Sequence, residues 1–269
     1  MQILIVGGDM RHTHLAALAR ARGHDVQLLG HHETTLSDAR PASEIVMPFP
    51  RSEEDGLAPA PFSREALPIA AVAELILPGA RVLAARPGPL LQKCLQDRRC
   101  VHKDPNDVES FQLRNAVPSA EGALYALLGR SGACLCGKTC LLTGYGRIAR
   151  ALALRLRALG VEVTVAARSA ADRARAAGDG LRAVPLAGMA GPYAMLVNTV
   201  PAPVVGEAEL SALLPGAMAL DLAGAPYGID LQAAGALGVD AWREPGLPGR
   251  FAPRTAAEAM LELLEEEGA

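Results

Sequence analysis

The sequence predicts an α/β protein: two doubly wound domains with a connecting helix and a cleft between them. Three observations carry this. Residues 3–29 and 141–168 each read as strand, glycine turn, helix and strand. Later apolar runs of strand length alternate with helical segments, the pattern of a parallel sheet. The chain has 269 residues, 50% of them hydrophobic, enough for two ordinary cores. The expected boundaries are 1–115, 116–250 with the connecting helix at about 119–129, and a C-terminal helical stretch 251–269 that packs back on the domains.

In the first stretch, Ile3 to Val6 form a strand, Gly7-Gly8 a turn, Leu15, Leu18 and Ala19 the buried side of a helix, and Val26 to Leu29 the second strand. Asp9 and Arg11 occupy the turn, and Asp9 would repel a phosphate. The domain is therefore expected to serve substrate or structure. Arg11 either binds a carboxylate or forms a helix-start salt bridge with Asp9. His12, His14, His31 and His32 have no ligand spacing and read as solvated loop and turn residues, so no metal is expected. Residues 37–68 read as loop with a short strand at Ile45-Val46-Met47. Ala73 to Leu77 reads as a strand ended by Pro78, and Arg81 to Ala85 as another or its continuation.

After Asp104, a polar lead and Pro118 precede a helix carrying Leu124, Leu127 and Leu128. Ser119 and Glu121 look like its capped, acidic start. Asn115, Ser119 and Glu121 are candidate substrate contacts, although capping alone accounts for Ser119. Gly132 to Thr139 spells G-x-x-x-x-G-K-T, but it follows a helix and precedes a strand, the reverse of what a triphosphate cradle needs. Cys134, Cys136 and Cys140 are expected to be buried as small hydrophobes.

The second stretch, LLTGYGRIARALALRLRALGVEVTVAAR, is the most informative. Gly144-Tyr145-Gly146-Arg147-Ile148-Ala149 is a G-x-G-x-x-A fingerprint between a strand and a helix with Ile148, Leu152, Leu156 and Leu159 on one side. The glycines permit a tight turn and close approach of backbone to a pyrophosphate, which would sit at the positive helix end. This makes a Rossmann-like domain, with Gly144, Tyr145, Gly146, Arg147 and Ile148 as cofactor contacts. An NAD site carries a carboxylate after the second strand, whereas this chain has Ala166-Ala167-Arg168-Ser169, a guanidinium and a hydroxyl suited to a 2′-phosphate. NADP is the expected cofactor.

Downstream, a helix at Asp172 to Ala177 and strands at Leu181 to Pro185, Ala194 to Val197, Ala217 to Leu220 and Val239 to Trp242 are expected. Asn198, Thr199, Val200 and Pro201 would lie by the nicotinamide ribose, or form a turn before proline. Asp221 orients substrate or nicotinamide, or caps its loop. Pro245 to Gly249 reads as a fixed loop at the cofactor mouth. The last helix starts at Thr255 with Ala259, Met260, Leu263 and Leu264 inward, and the acidic run Glu265 to Glu267 opposes its dipole and favours fraying.

A net charge of −3 and a pI near 6.1 provide no basic surface for nucleic acid. No apolar run reaches membrane-span length, and Met1 to Val6 lead straight into a strand, so a cytoplasmic protein is expected. Five cysteines without a framework agree with that compartment.

Taken together, VGGDMRHTH, NAVPSAEGAL, GYGRIARALA, VTVAARS, VNTVP, LDLAGAPYGID and PGLPGRFAPRTAAEAM resemble the family of dipicolinate synthase A subunits over nearly the whole chain. The resemblance implies an oxidoreductase of spore formation that converts a 4-hydroxy-tetrahydrodipicolinate of the lysine pathway to dipicolinate with NADP as hydride acceptor. It also implies a partner, the flavoprotein-like B subunit of the synthase, together with a location in the mother-cell cytoplasm and possible homo-oligomers. It points to Gly144, Gly146, Arg168 and Ser169 for the cofactor and to Asp9, Arg11, Asn115 and Glu121 as cleft residues; with Ser119 and Asp221 added from their own positions, the expected substrate contacts are Asp9, Arg11, Asn115 and Ser119, and the expected catalytic set is Arg11, Asn115, Glu121 and Asp221. Residues 50–100 are shorter than the family's, and Arg250-Phe251 replaces an aliphatic pair. Two other readings stay open: another NADP-dependent dehydrogenase of a small carboxylate, against which the lack of a Lys-Asp pair or Glu-His relay counts, and a non-catalytic NADP-binding subunit.

Overall fold

A computed structural model describes residues 1–266. The chain divides into two contact units: the first holds Met1–Asn115 and the stretch from Pro248 onward, the second Ala116–Leu247.

The first unit contains β1 (Gln2–Val6), α1 (Met10–Ala21), β2 (Asp25–Leu29), β3 (Ala42–Val46), α2 (Ile69–Ala73), β4 (Ile76–Leu83), α3 (Pro89–Asp97) and β5 (Val101–Lys103). Its sheet is parallel in the order β2-β1-β3-β4-β5. Strand periodicity explains why β1 is apolar from Ile3 to Val6. Ile3 and Ile5 enter a cluster with Leu15, Ala19 and Met260, while Leu4 and Val6 enter another with Ile69, Val72 and Leu91. Each such fully buried side chain contributes about 1.5–3 kcal/mol. Two of the helices start against a carboxylate: Asp9 caps α1, and Glu53 accepts from the Leu91 amide at the start of α3 at 2.8 Å.

Ala73 ends a helix rather than beginning a strand, and β4 continues through Pro78. The β3-β4 pairing jumps from Ala42↔Ile76 to Glu44↔Arg81, so Pro78, which lacks an amide hydrogen, falls in the irregularity and breaks no ladder bond.

Next comes α4 (Glu109–Ser131), which begins ten residues before the expected capped start at Ser119 and carries Pro118 inside it. Proline in a helix costs about 3 kcal/mol. Burial of Phe111 before it and of Ala120, Ala123 and Leu127 after it offsets that cost. Gly132 to Thr139 joins α4 to the next strand.

In the second unit lie β6 (Thr139–Thr143), α5 (Arg147–Ala158), β7 (Glu162–Ala166), α6 (Ala170–Gly178), β8 (Arg182–Val184), β9 (Met195–Asn198), α7 (Glu207–Ser211), β10 (Met218–Asp221), α8 (Leu231–Ala236) and β11 (Asp240–Arg243). Its parallel sheet runs β11-β10-β9-β6-β7-β8. Alternation recurs here: Cys140 and Leu142 face one core with Leu152 and Leu156, and Leu141 the other with Leu196 and Ala219. Cys134 and Cys136 are exposed, contrary to expectation, because they lie in the surface turn before β6.

Of the expected loop Pro245 to Gly249, Leu247 to Gly249 enter α9 (Leu247–Phe251), and α10 (Pro253–Glu265) then packs on α1 with Ala259, Met260, Leu263 and Leu264 buried. Proline's preset φ suits a first helical position, so α10 starts at Pro253 rather than Thr255. Glu267 of the acidic run lies outside the described residues. No helix among them is long and apolar enough to cross a membrane.

Candidate dinucleotide site and the matching turn of the first unit

In the second unit β6 ends at Thr143, and Gly144 turns the chain with φ +83°, its amide donating to the Ala166 carbonyl at 2.8 Å. A Cβ on Gly144 would stand 2.7 Å from Thr199 Oγ1 and 3.0 Å from Val200 Cγ2, so sterics and dihedral both demand glycine. Gly146 is the N-cap of α5 and no side chain caps the amides of the first turn. A Cβ there would meet nothing within 4 Å. The start of α5 thus has its donors uncommitted to any side-chain cap, an arrangement that suits an anion. Arg147 is exposed and Ile148 half-buried beside it.

Tyr145, expected among the cofactor contacts, has its side chain committed elsewhere. Its ring is buried and its hydroxyl lies 2.7 Å from Asp179 Oδ2, which also accepts from Arg150 Nε at 2.8 Å. Burial, then the Asp179 carboxylate, push the phenol's pKa up. Only the backbone of Tyr145 can meet a ligand at the turn.

After β7, Arg168 is exposed, and among the described residues no hydrogen bond or ion pair of its guanidinium is found. Arg173 Nη1 donates to the carbonyls of Ala167 and Arg168, both at 2.8 Å, which fixes the backbone that carries it. Ser169 caps α6, accepting from the amides of Ala171 and Asp172 at 3.1 and 3.4 Å. Its hydroxyl hydrogen remains to donate. The nearby Asp172 carboxylate is occupied by Arg175 at 2.7 Å.

Asn198 and Thr199 turn inward. Asn198 is fully buried and its amide is saturated by Thr143, Val200 and Asp221; Thr199 Oγ1 donates to the Thr143 carbonyl at 2.8 Å. Val200 flanks the glycine turn, and Pro201 is exposed. Asp221, also fully buried, accepts from Asn198 Nδ2 and from the amides of Ala223, Gly228 and Ile229. Its lone pairs are taken, so of the two roles left open it caps the loop rather than acting as a catalytic group.

In the first unit the corresponding turn is closed by its own charges. Asp9 Oδ1 accepts from the Arg11 amide at 3.0 Å and from Nε at 2.8 Å, and Oδ2 from Nη2 at 2.6 Å. Nη2 also donates to the Phe49 carbonyl at 2.8 Å, and the guanidinium lies 4.7 Å from the Phe49 ring centroid. Arg11 is only 2% exposed, and a Cβ on Gly249 would stand 2.4 Å from Asp9 Oδ2. The salt-bridge alternative for Arg11 therefore holds, and its charge is already matched. Burial raises the Asp9 carboxyl's pKa, but His12 and Arg11 outweigh that and hold it below the usual carboxylate range. His12 Nδ1 is 3.7 Å away, beyond hydrogen-bond reach, so Arg11 is the direct partner. His12 itself is buried with Nε2 3.3 Å from the Met47 carbonyl, and His31 lies between the Gly7 carbonyl and Thr13. Neither is the solvated residue expected, because each ties α1 or its turn to a neighbouring segment.

On α4, Asn115 and Ser119 are one turn apart on one face. Glu121 points about 200° away from Ser119 by helical geometry and pairs with Arg155 at 3.0 Å. Ser119 is buried inside the helix rather than capping it, and Glu121 is withdrawn from any set with these two. Sequence reasoning missed Thr143, Phe49, Asp179 and Gly228. Only Thr143 left a signal, a hydroxyl ending an apolar strand just before the glycine turn.

Residues 121–224 match the family described as D-isomer specific 2-hydroxyacid dehydrogenase, NAD binding domain. The chain is 31% identical over 163 residues to the A subunit of dipicolinate synthase from Bacillus subtilis (strain 168), across 59% of this chain and 54% of that protein, so the match spans about half the relative's length. The solved structure of the dipicolinate synthase A subunit from Bacillus halodurans superposes with a TM-score of 0.86 at 23% identity, over 100% of this chain and 97% of that one. The Bacillus subtilis counterpart gives 0.86 at 22%, over 99% and 95%. The resemblance to the A subunit of dipicolinate synthase, the two-domain α/β fold and a dehydrogenase-type nucleotide-binding segment all stand on these findings.

Proposed function

We propose that the chain is the A subunit of a dipicolinate synthase. It acts as an NADP-dependent oxidoreductase, converting a 4-hydroxy-tetrahydrodipicolinate to dipicolinate in the cytoplasm of a sporulating mother cell with a flavoprotein-like B subunit. The observation that carries the reading is the pairing, at the carboxyl ends of the neighbouring strands β6 and β7, of the uncapped α5 start with Arg168 and Ser169. A pyrophosphate suits the first, where Gly144 and Gly146 leave backbone within reach. A 2′-phosphate suits the second: a forked guanidinium with no other partner among the described residues, and a hydroxyl able to donate.

Bound NADP would supply the hydride acceptor. The substrate loses water, then a hydride and a proton, and the aromatic pyridine formed makes the sequence downhill. The protein's task is then mainly positioning. Asn115 and Ser119 remain the proposed substrate contacts. Arg11 and Asp9 serve by holding the loops around them, and Glu121 and Asp221 by their structural pairings.

Calorimetric titration with NADP and NAD, followed by incubation with lysine-pathway intermediates and NADP with and without a flavoprotein partner, tests the reading. Preference for NADP and formation of dipicolinate are the expected results. NADP binding with no turnover under either condition would leave a non-catalytic role, and binding of neither dinucleotide would overturn the proposal.

A further inference from the structure

We infer that Asn198 is a positioning residue, the middle of a relay that couples the glycine turn after β6 to the loop 222–229 after β10. The relay crosses the carboxyl ends of three neighbouring strands. Thr143, immediately before Gly144, donates from Oγ1 to Asn198 Oδ1 at 2.5 Å. Asn198 Nδ2 donates to Asp221 Oδ1 at 2.7 Å and to the Val200 carbonyl at 3.0 Å, and the Val200 amide returns a bond to Oδ1 at 3.0 Å. Asp221 then gathers the amides of Ala223, Gly228 and Ile229 at 3.1, 2.9 and 3.0 Å. All three side chains are 0% exposed.

Chemistry fixes the direction of every bond. The Val200 carbonyl can only accept and its amide only donate, so Asn198 turns its NH2 group to Asp221 and its Oδ1 to Thr143, whose hydroxyl must donate. A fully satisfied buried chain of this kind has one arrangement and a high cost for any other. Gly228 closes the far end: a Cβ there would stand 2.1 Å from Asn198 Nδ2. The turn and the loop therefore share one set of hydrogen bonds, and neither relaxes without the other. Asn198 and Asp221, spent on the relay, act on a ligand only through the segments they hold.

The cofactor arm of the test rests on the NADP reading; the amide arm does not. Thr143→Val keeps the side chain's shape and removes the donor. We expect faster hydrogen exchange at Ala223, Gly228 and Ile229, two strands from the substitution. NADP should bind about tenfold more weakly, the scale of one lost buried hydrogen bond, with kcat at saturation changed less than KM. Thr143→Ser should restore both, and Asn198→Leu, which cuts the chain at its middle, should reproduce the Thr143→Val pattern. Unchanged protection at 223–229 in Thr143→Val overturns the inference, as does failure of Thr143→Ser to rescue. Unchanged NADP affinity in a parent that binds NADP does the same. Should the parent bind no dinucleotide, the amide exchange alone decides, and the functional reading falls instead.

Discussion

The turns after β1 and β6 are built alike and differ in what closes them. Both leave the central region of a parallel sheet through glycines of positive φ into a helix of twelve residues. In the first, the N-cap carboxylate of Asp9 sits on the helix start and Arg11 neutralises it. In the second, Gly146 provides no side-chain cap. Topology alone does not make an anion site. The first helix carries its own anion and is finished, whereas the second leaves amides and dipole for one from outside. The first unit repeats the device at α3, where Glu53 reaches in from a distant loop to accept from the Leu90 and Leu91 amides.

The sharpest way to break this contrast is to give α5 its own carboxylate. Gly146→Asp has room for the side chain and a compatible φ of −79°. It should weaken NADP binding about a thousandfold, about 4 kcal/mol, while leaving the melting temperature equal or slightly raised. Calorimetry and thermal melts read both. Opening the first turn should be costly in a different way. Arg11→Leu strands Asp9 and frees the Phe49 carbonyl, and a loss of about 3 kcal/mol of stability is expected in urea titrations, with dinucleotide affinity in the surviving folded fraction unchanged.

Arg168→Ala should cost about 2 kcal/mol of NADP affinity, roughly thirtyfold, and leave NAD binding alone. Equal losses for both cofactors would remove the 2′-phosphate from Arg168. Glu53→Ala uncaps α3 and should lower stability by about 1 kcal/mol, measurable by denaturant midpoint. A further effect is in acid. The folded-state carboxyl of Asp9 lies below its unfolded value, so its contribution is complete above the ordinary aspartate range and is lost as pH falls through the folded value. Asp9→Asn should flatten that part of the stability profile below about pH 4.

Much of the fold could be read from periodicity, since strands covered on both faces are continuous apolar runs and the helices between them carry one buried stripe. Cap chemistry was less faithful. Ser119 and Glu121 spell a helix start, yet burial of Phe111, Ala120 and Leu127 carries α4 through Pro118, because packing on both sides outweighs one missing amide. At the site, Gly144, Gly146, Arg168 and Ser169 could be found by position relative to a strand end. Asn198 and Asp221 were found as polar strand ends, but whether such a group faces a ligand or its neighbours depends on residues far along the chain.

The sequence by itself determined that there are two doubly wound units, where the G-x-G-x-x-A turn lies, and that a cation rather than a carboxylate follows the second strand after it. These are local properties: dihedral permission, apolar period and charge at a fixed offset. Only the tertiary structure decided that Arg11 is matched by Asp9 and Phe49, that Glu121 belongs to Arg155, that Tyr145 belongs to Asp179, and that Asn198 spends all its hydrogen bonds indoors. Partners separated by tens of residues meet only when the sheet order is formed, and a polar side chain's role is set by which of its hydrogen bonds are already made.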